Sequence, residues 1–429
     1  MTDSTGQSAS ALDDVRVLDL TGEMGAYCTK LLADLGADVV RVEPPSGDPI
    51  RYRAPFLGDA PGPESSLLHL HLNTSKRGIT LDLERAEGRA VFKRLVSSAD
   101  VVVETFAPGY LAGLGLGYAD LIGVKPDLIL TSITGFGQDG PHARFETCDL
   151  VGVAMSGIMT LSGFPDLPPY RPYPSQGYYC ASIEAAIGTL VAVTHRDLHG
   201  EGQWVDVSMQ ESLSMAQETA MQSWDFQKTN RKRAGGGVRL GLIGLYECAD
   251  GYVYNMIGAV GAGAPVSEFI RWMDEEGKAG DLVTSGVLAD MEEAARLPRG
   301  APGAMERLAG LREKMGKVQA VATEFIKGQT MQVLYEEGQA HGFLLGPANT
   351  PRDLVESRQL NARAWFVDLP HPELGTTLRM PGLPYRISDC PARLRRPAPL
   401  LGEHNAEVYQ GELGLTAAEL TALRSAGVV

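Results

Sequence analysis

Four stretches hold residues whose types and spacing could do chemistry. In "NTSKRGITLDL" two adjacent cations, Lys76 and Arg77, stand just before an apolar run that reads as a buried strand, where a loop could present them to a phosphate. A solvated basic turn explains the same spacing. "ETFAPGYL" places Thr105 and Phe106 at the end of a strand-like run, so a hydroxyl and a ring able to stack on a purine fall at one edge; a core role for Phe106 explains it equally. "TGFGQDGP" (Thr134–Pro141) carries Phe136 in a glycine-rich loop that turn chemistry alone would also account for. The fourth stretch, "PSQGYYCASIEAAIGTLVAVTHR" (Pro174–Arg196), reads as a loop opening into a long helix of small and apolar residues. A helix mouth favours an anion or a thiolate. Here Gly177-Tyr178-Tyr179-Cys180 offers no carboxylate, histidine or lysine, and Cys180 reads as a small buried residue rather than an activated thiol.

Other catalytic arrangements find no support. No G-x-S-x-G elbow is present. None of the eight histidines has a local partner that would signal a triad or a metal site, and His404 in "LLGEHN" reads as structural. "GLGLGY" (Gly113–Tyr118) follows a short helical segment instead of a strand, so it reads as helix termination and not as a dinucleotide loop. Asp149 in "CDLVGVAMSG" reads as the N-cap of the helix that follows it. The five cysteines are far apart, without C-x-x-C or metal-type spacing, so no metal is expected and a reduced cytoplasmic setting fits. A net charge of −15 argues against nucleic acid as the main partner, though not against a phosphorylated ligand bound by local cations.

The elements that must position these residues follow from the hydropathy pattern. "VRVLDL", "DVVRVE", "ITLDL", "DVVVET" and "DLILTSI" are apolar runs alternating with helical stretches such as "AYCTKLLADLG" and "RAEGRAVFKRLVSSA". That alternation predicts a parallel sheet covered by helices on both faces, with ligands at the carboxyl ends of the strands. "GLYECADGYVYNMI" reads as a β-hairpin turning at Ala249-Asp250-Gly251, opening a smaller α+β domain. The division expected is a large domain over 1–222 and 345–429, a small domain over 240–330, and linkers over 223–239 and 331–344. The N-terminal "MTDSTGQSAS" reads as a short frayed tail, not a secretion signal, and no run of about 18 uncharged apolar residues announces a membrane span.

Taken in order, these segments resemble the class III CoA-transferase (CaiB/BaiF) family across almost the whole chain. The resemblance runs through "VRVLDLTGEMGAYCTKLLADLGADVVRVEPPSGD", "NTSKRGITLDL", "ADVVVETFAPG", "ITGFGQDGP", "HRDLHGEGQWVDVSM", "GLYECADGYVY" and "APLLGEHNAEV". It implies an α/β fold with a large Rossmann-like domain, a small domain, and two chains interlocked as a dimer. It also implies a mechanism. An aspartate at the helix mouth attacks an acyl-CoA thioester to give a mixed anhydride, and the released CoA thiolate returns to form an aspartyl-CoA thioester. A second carboxylic acid displaces it by the reverse sequence. A carboxylate suits this because it is nucleophilic without prior deprotonation.

This chain departs from the pattern at that centre. The aspartate position falls on Tyr178, or on Gly177 if the loop differs by one residue. The position of the histidine used by racemase members is Cys148, and Glu184 lies about two turns into the helix, too deep to substitute. The family's CoA positions persist better: Lys76, Thr105 and Phe106 match residues holding the nucleotide, and Phe136 matches an aromatic near the pantetheine. Family members acting on aromatic succinates, such as benzylsuccinate CoA-transferase, have two different subunits. This chain most resembles the one lacking the nucleophile. The resemblance therefore implies a CoA-transferase subunit whose paralogous partner supplies the aspartate, moving CoA from a donor such as succinyl-CoA to a carboxylic acid. A homodimeric enzyme of unconventional mechanism and a non-catalytic CoA-ester-binding protein remain as alternatives.

Overall fold

The computed structural model describes residues 10–217, 219–233, 235, 241–258, 263–296 and 310–429. Residues 1–9 of the N-terminal tail and 234 and 236–239 of the 223–239 linker lie outside the described residues. Two compact units are present, each built on its own core.

The larger unit holds residues up to Ser162, Pro169–Arg231 and Gln359–Val429. Its sheet has six parallel strands: β1 (Arg16–Leu20), β2 (Asp38–Glu43), β3 (Arg77–Thr80), β4 (Val101–Glu104), β5 (Ile129–Thr134) and β6 (Trp204–Ser208). The spatial order is β3-β2-β1-β4-β5-β6, so the chain reverses direction across the sheet between β1 and β4. Ligand crevices form at such a switch point, at the carboxyl ends of the strands.

Burial on both faces explains the near-continuous apolar strands. Leu18, Val40 and Val102 face one core with Phe92 and Leu95 of helix α2 (Ala86–Val96). Their neighbours Val17, Val39 and Val101 face the other, with Leu32 of helix α1 (Ala26–Asp34). Helix α3 (Asp149–Met155) and the long helix α4 (Gln176–His199) complete that second layer. Ala181, Ala185 and Ala192 of α4 are buried there, their small side chains letting the helix lie close to the sheet. By length and composition α4 is apolar enough to cross a membrane, which the sequence reading did not anticipate; close to half of that stretch is buried in the core of this unit.

The smaller unit comprises Gly163–Pro168 and Lys232–Arg358. Its hairpin pairs β7 (Leu242–Cys248) with β8 (Gly251–Ile257), and β9 (Leu345–Pro347) adds a third antiparallel strand. The boundaries differ from those expected. Residues 331–344, read as a linker, carry the helix Met331–Ala340, started by Thr330 accepting from Val333 N, and its Leu334 enters the small core. Residues 345–358 likewise fall in the small unit, not the large one. A separate two-stranded ribbon, β10 (Phe366–His371) with β11 (Thr376–Pro381), belongs to the larger unit.

Candidate functional site

The sheet's carboxyl edge positions two of the residues expected to hold CoA. Immediately after β4, the Thr105 hydroxyl accepts from Gly22 N at 2.7 Å, tying the loop after β4 to the loop after β1. A Cβ at Gly25 would lie 2.7 Å from Thr105 Cγ2, so this close approach requires glycine. Phe106 is half-buried, its ring 4.6 Å from that of Tyr110, and its N–H donates to the Glu104 carboxyl at 2.6 Å. Phe136, in the loop after β5, meets the His142 ring edge-on at 5.8 Å.

Lys76 and Arg77 are elsewhere, at the amino end of β3, and neither is presented to a ligand. Lys76 is fully buried; its three ammonium donors are shared among four acceptors within hydrogen-bond distance, Asp19 Oδ2 (2.9 Å), Thr29 Oγ1 (2.7 Å), Asn73 Oδ1 (2.9 Å) and Ala26 O (3.0 Å). Burial pushes its pKa down to about 8 against the pull of Asp19. Burial would raise the Asp19 carboxyl in turn, but Lys76 and Arg41 together hold it below the usual range, so the group is an ionised internal pair. Arg77 is engaged by Asp38, Glu407 and Glu412. A basic doublet beside a strand is the same in sequence whether its charges face solvent or carboxylates far along the chain.

The mouth of α4 is occupied by Asp149 and two tyrosines. Ser175 precedes the helix at φ 68°, without capping it through its side chain, and its hydroxyl instead bonds Glu23 Oε1 at 3.2 Å. The Asp149 carboxylate reaches across from α3, accepting from Ser175 N (3.0 Å) and Gly177 N (2.7 Å). The expectation that Asp149 caps its own helix is therefore corrected: Cys148 holds the N-cap of α3, and Asp149 caps α4. A Cβ at Gly177 would sit 3.0 Å from Asp149 Oδ1 and 3.1 Å from both Leu213 Cδ1 and Met209 Sδ. Of the two positions considered for a nucleophile, 177 would take a side chain only if these neighbours shifted by a few tenths of an ångström.

Tyr178 and Tyr179 fill the mouth. With Glu23, Tyr27, Leu68, Leu72 and Ser175 they enclose a residual space of about 10 Å³, no more than one water needs. The Tyr178 hydroxyl is raised above the ordinary phenol by burial first, with the Asp149 backbone N–H opposing and Glu23, Cys148 and Asp149 adding to it. It is a neutral phenol rather than a phenolate nucleophile. Cys180 is raised as well, by burial and then by Glu184 and Asp149, so the helix dipole does not deliver a thiolate. Among the described residues no group of three or more His, Cys, Asp or Glu could hold a metal ion.

Sequence reasoning passed over Glu104, which closes the apolar run "VVVE" at the carboxyl end of β4. Burial pushes its pKa up to about 7, with Ser132 and the Phe106 N–H opposing and Asp206 adding. The signal was present: an acidic residue ends a strand otherwise buried on both sides.

Comparisons with known proteins bear on the family and the fold. The profile of CoA-transferase family III matches residues 12–405. The chain is 36% identical over 419 residues to a succinyl-CoA:(R)-benzylsuccinate CoA-transferase subunit, BbsE, of Thauera aromatica, covering 96% of this chain and 97% of that one. It is 34% identical to a succinyl-CoA–D-citramalate CoA-transferase of Chloroflexus aurantiacus, covering 97% and 98%. A CaiB/BaiF family protein from Brucella suis superposes with a TM-score of 0.78 at 28% identity, covering 94% of this chain and 100% of that one. The chain belongs to CoA-transferase family III.

Proposed function

We propose that this protein is the non-acylated subunit of a hetero-oligomeric CoA-transferase. A paralogous partner supplies the aspartate that forms the acyl and CoA intermediates. The acceptor is a carboxylic acid of the aromatic-succinate class and the donor succinyl-CoA, by analogy with the BbsE relative. The observation that carries the reading is the helix mouth: a position with room for one side chain holds neutral Tyr178, while the Asp149 carboxylate beside it is spent on two backbone N–H groups. The scaffold is otherwise intact, as a subunit retained for assembly requires. Thr105, Phe106 and Phe136 are the residues we assign to CoA contact at the sheet edge, with Lys76 and Arg77 holding the strands beneath it in place.

A second chain is supported by an apolar stripe. Ile183, Ile187, Val191 and Leu198 of α4 are 41% to 74% exposed, and Leu150 and Met155 of α3 are exposed too. An apolar face of that extent is what a partner chain, interlocked or otherwise, would cover. We place the complex in the cytoplasm.

The test is transferase activity. This chain purified alone should transfer no CoA from succinyl-CoA to an aromatic succinate, while co-expression with an aspartate-bearing paralogue should yield an active mixed complex. In that complex Tyr178→Phe should leave kcat within about twofold, because a hydroxyl that does not react contributes little to the barrier. Robust turnover by the lone chain would overturn the proposal.

A further inference from the structure

A second cavity lies in the larger unit, behind the helix mouth. It has a volume of about 200 Å³. Three aromatic side chains, Tyr27, Tyr179 and Trp365, line it together with three polar ones, Lys30, Asp34 and His71. The Tyr27 and Tyr179 rings meet edge-on at 4.7 Å, and both also border the filled space at the mouth of α4. An engineered apolar cavity of about 150 Å³ is known to hold benzene, so this one has room for a single ring and a small substituent.

The polar groups define what the substituent must do. Lys30 Nζ donates to Asp34 Oδ2 at 2.7 Å and to the Thr74 hydroxyl. An ammonium has three donors, and no third acceptor meets this one among the described residues. Among the described residues no hydrogen bond of ordinary geometry reaches the buried Asp34 Oδ1, though the Ser75 hydroxyl is near enough to favour the charged carboxylate. Burial raises the Asp34 carboxyl, and Lys30 and Ser75 oppose it. Burial holds His71 neutral, with its pKa pushed down to about 4, so it adds no positive charge. Unmet buried groups of this kind are costly, and in native proteins they are uncommon.

We propose that this cavity is a binding site for a small planar aromatic molecule bearing a carboxamide-type group. The ring lies between Tyr27, Tyr179 and Trp365, the carbonyl oxygen accepts from Lys30, and the amide N–H donates to Asp34. The chemistry discriminates among ligands. A carboxylate brings a second negative charge beside Asp34 and no donor; a plain hydrocarbon satisfies neither group. The site contains none of the residues assigned to CoA and does not depend on which chain carries the nucleophile. Through Tyr179 an occupant touches the residue next to Tyr178.

The full-length chain, titrated with benzamide, benzoate and toluene by calorimetry and by ligand-observed NMR, tests this. Benzamide should bind saturably with a Kd at or below about 1 mM, reasonable for a ligand of its size. Benzoate and toluene should bind at least about tenfold more weakly. Trp365→Ala should weaken benzamide by about tenfold or more. The double variant Lys30→Met/Asp34→Leu, which strands no lone charge, should erase the preference for benzamide over toluene, with circular dichroism confirming a folded chain. Absence of saturable benzamide binding, equal binding of the three probes, or unchanged binding in the folded Trp365→Ala variant would each show that the cavity holds only water.

Discussion

Two backbone N–H groups at the start of α4 are satisfied by one carboxylate, Asp149, from another helix. Such a cap matters for the long helix, whose first-turn donors have no partners of their own. Asp149→Ala should therefore cost about 1 to 2 kcal/mol in urea unfolding, the range of a lost cap. Asp149→Asn, which keeps an acceptor, should cost less. Equal stability of the alanine variant would mean that the two bonds add nothing. This residue also shows how far sequence reaches. Its type and its place before an apolar run pointed to a cap, but the helix it caps follows Ser175, 26 positions away. Local spacing carries no information about a partner brought in by tertiary packing. Lys76 makes the same point, since its charge is answered by Asp19, 57 positions distant.

At the scale of elements, β4 carries a pH dependence. Glu104 ends the strand with a folded pKa pushed up to about 7 from its ordinary 4.5, burial being the largest cause. A carboxyl with a raised pKa binds more protons folded than unfolded between those values. Its contribution is thus full below about pH 4.5 and is lost as pH rises toward 7. Between pH 5 and 8 the wild-type protein should lose about 2 to 3 kcal/mol more stability than Glu104→Gln, read from urea unfolding at the two pH values. Parallel loss in both proteins would contradict this. The strands themselves were readable because burial on both faces leaves a continuous apolar run, as in "DVVRVE" and "DVVVET". The helix Met331–Ala340 was not. Its "MQVLYEEGQA" places a glycine near the end and few apolar residues on its buried side, so only packing against the small core reveals it.

The whole molecule presents an intact family scaffold whose helix mouth is closed. Tyr178 and Tyr179 leave about 10 Å³ there, and an apolar stripe of α4 is exposed. The empty chemistry at residues 177–180 was legible from the sequence; that Asp149 and the two tyrosines fill the space was not, because it depends on side chains from three elements. On the function proposed above, the covalent step belongs to a partner chain. The most direct measurement is peptide mass spectrometry of the reconstituted mixed complex, incubated with succinyl-CoA and no acceptor acid, then trapped with hydroxylamine or borohydride. The account predicts a modified aspartate on the partner and an unmodified peptide spanning Pro174–Arg196 of this chain. An adduct on that peptide, or on Asp149, would contradict it.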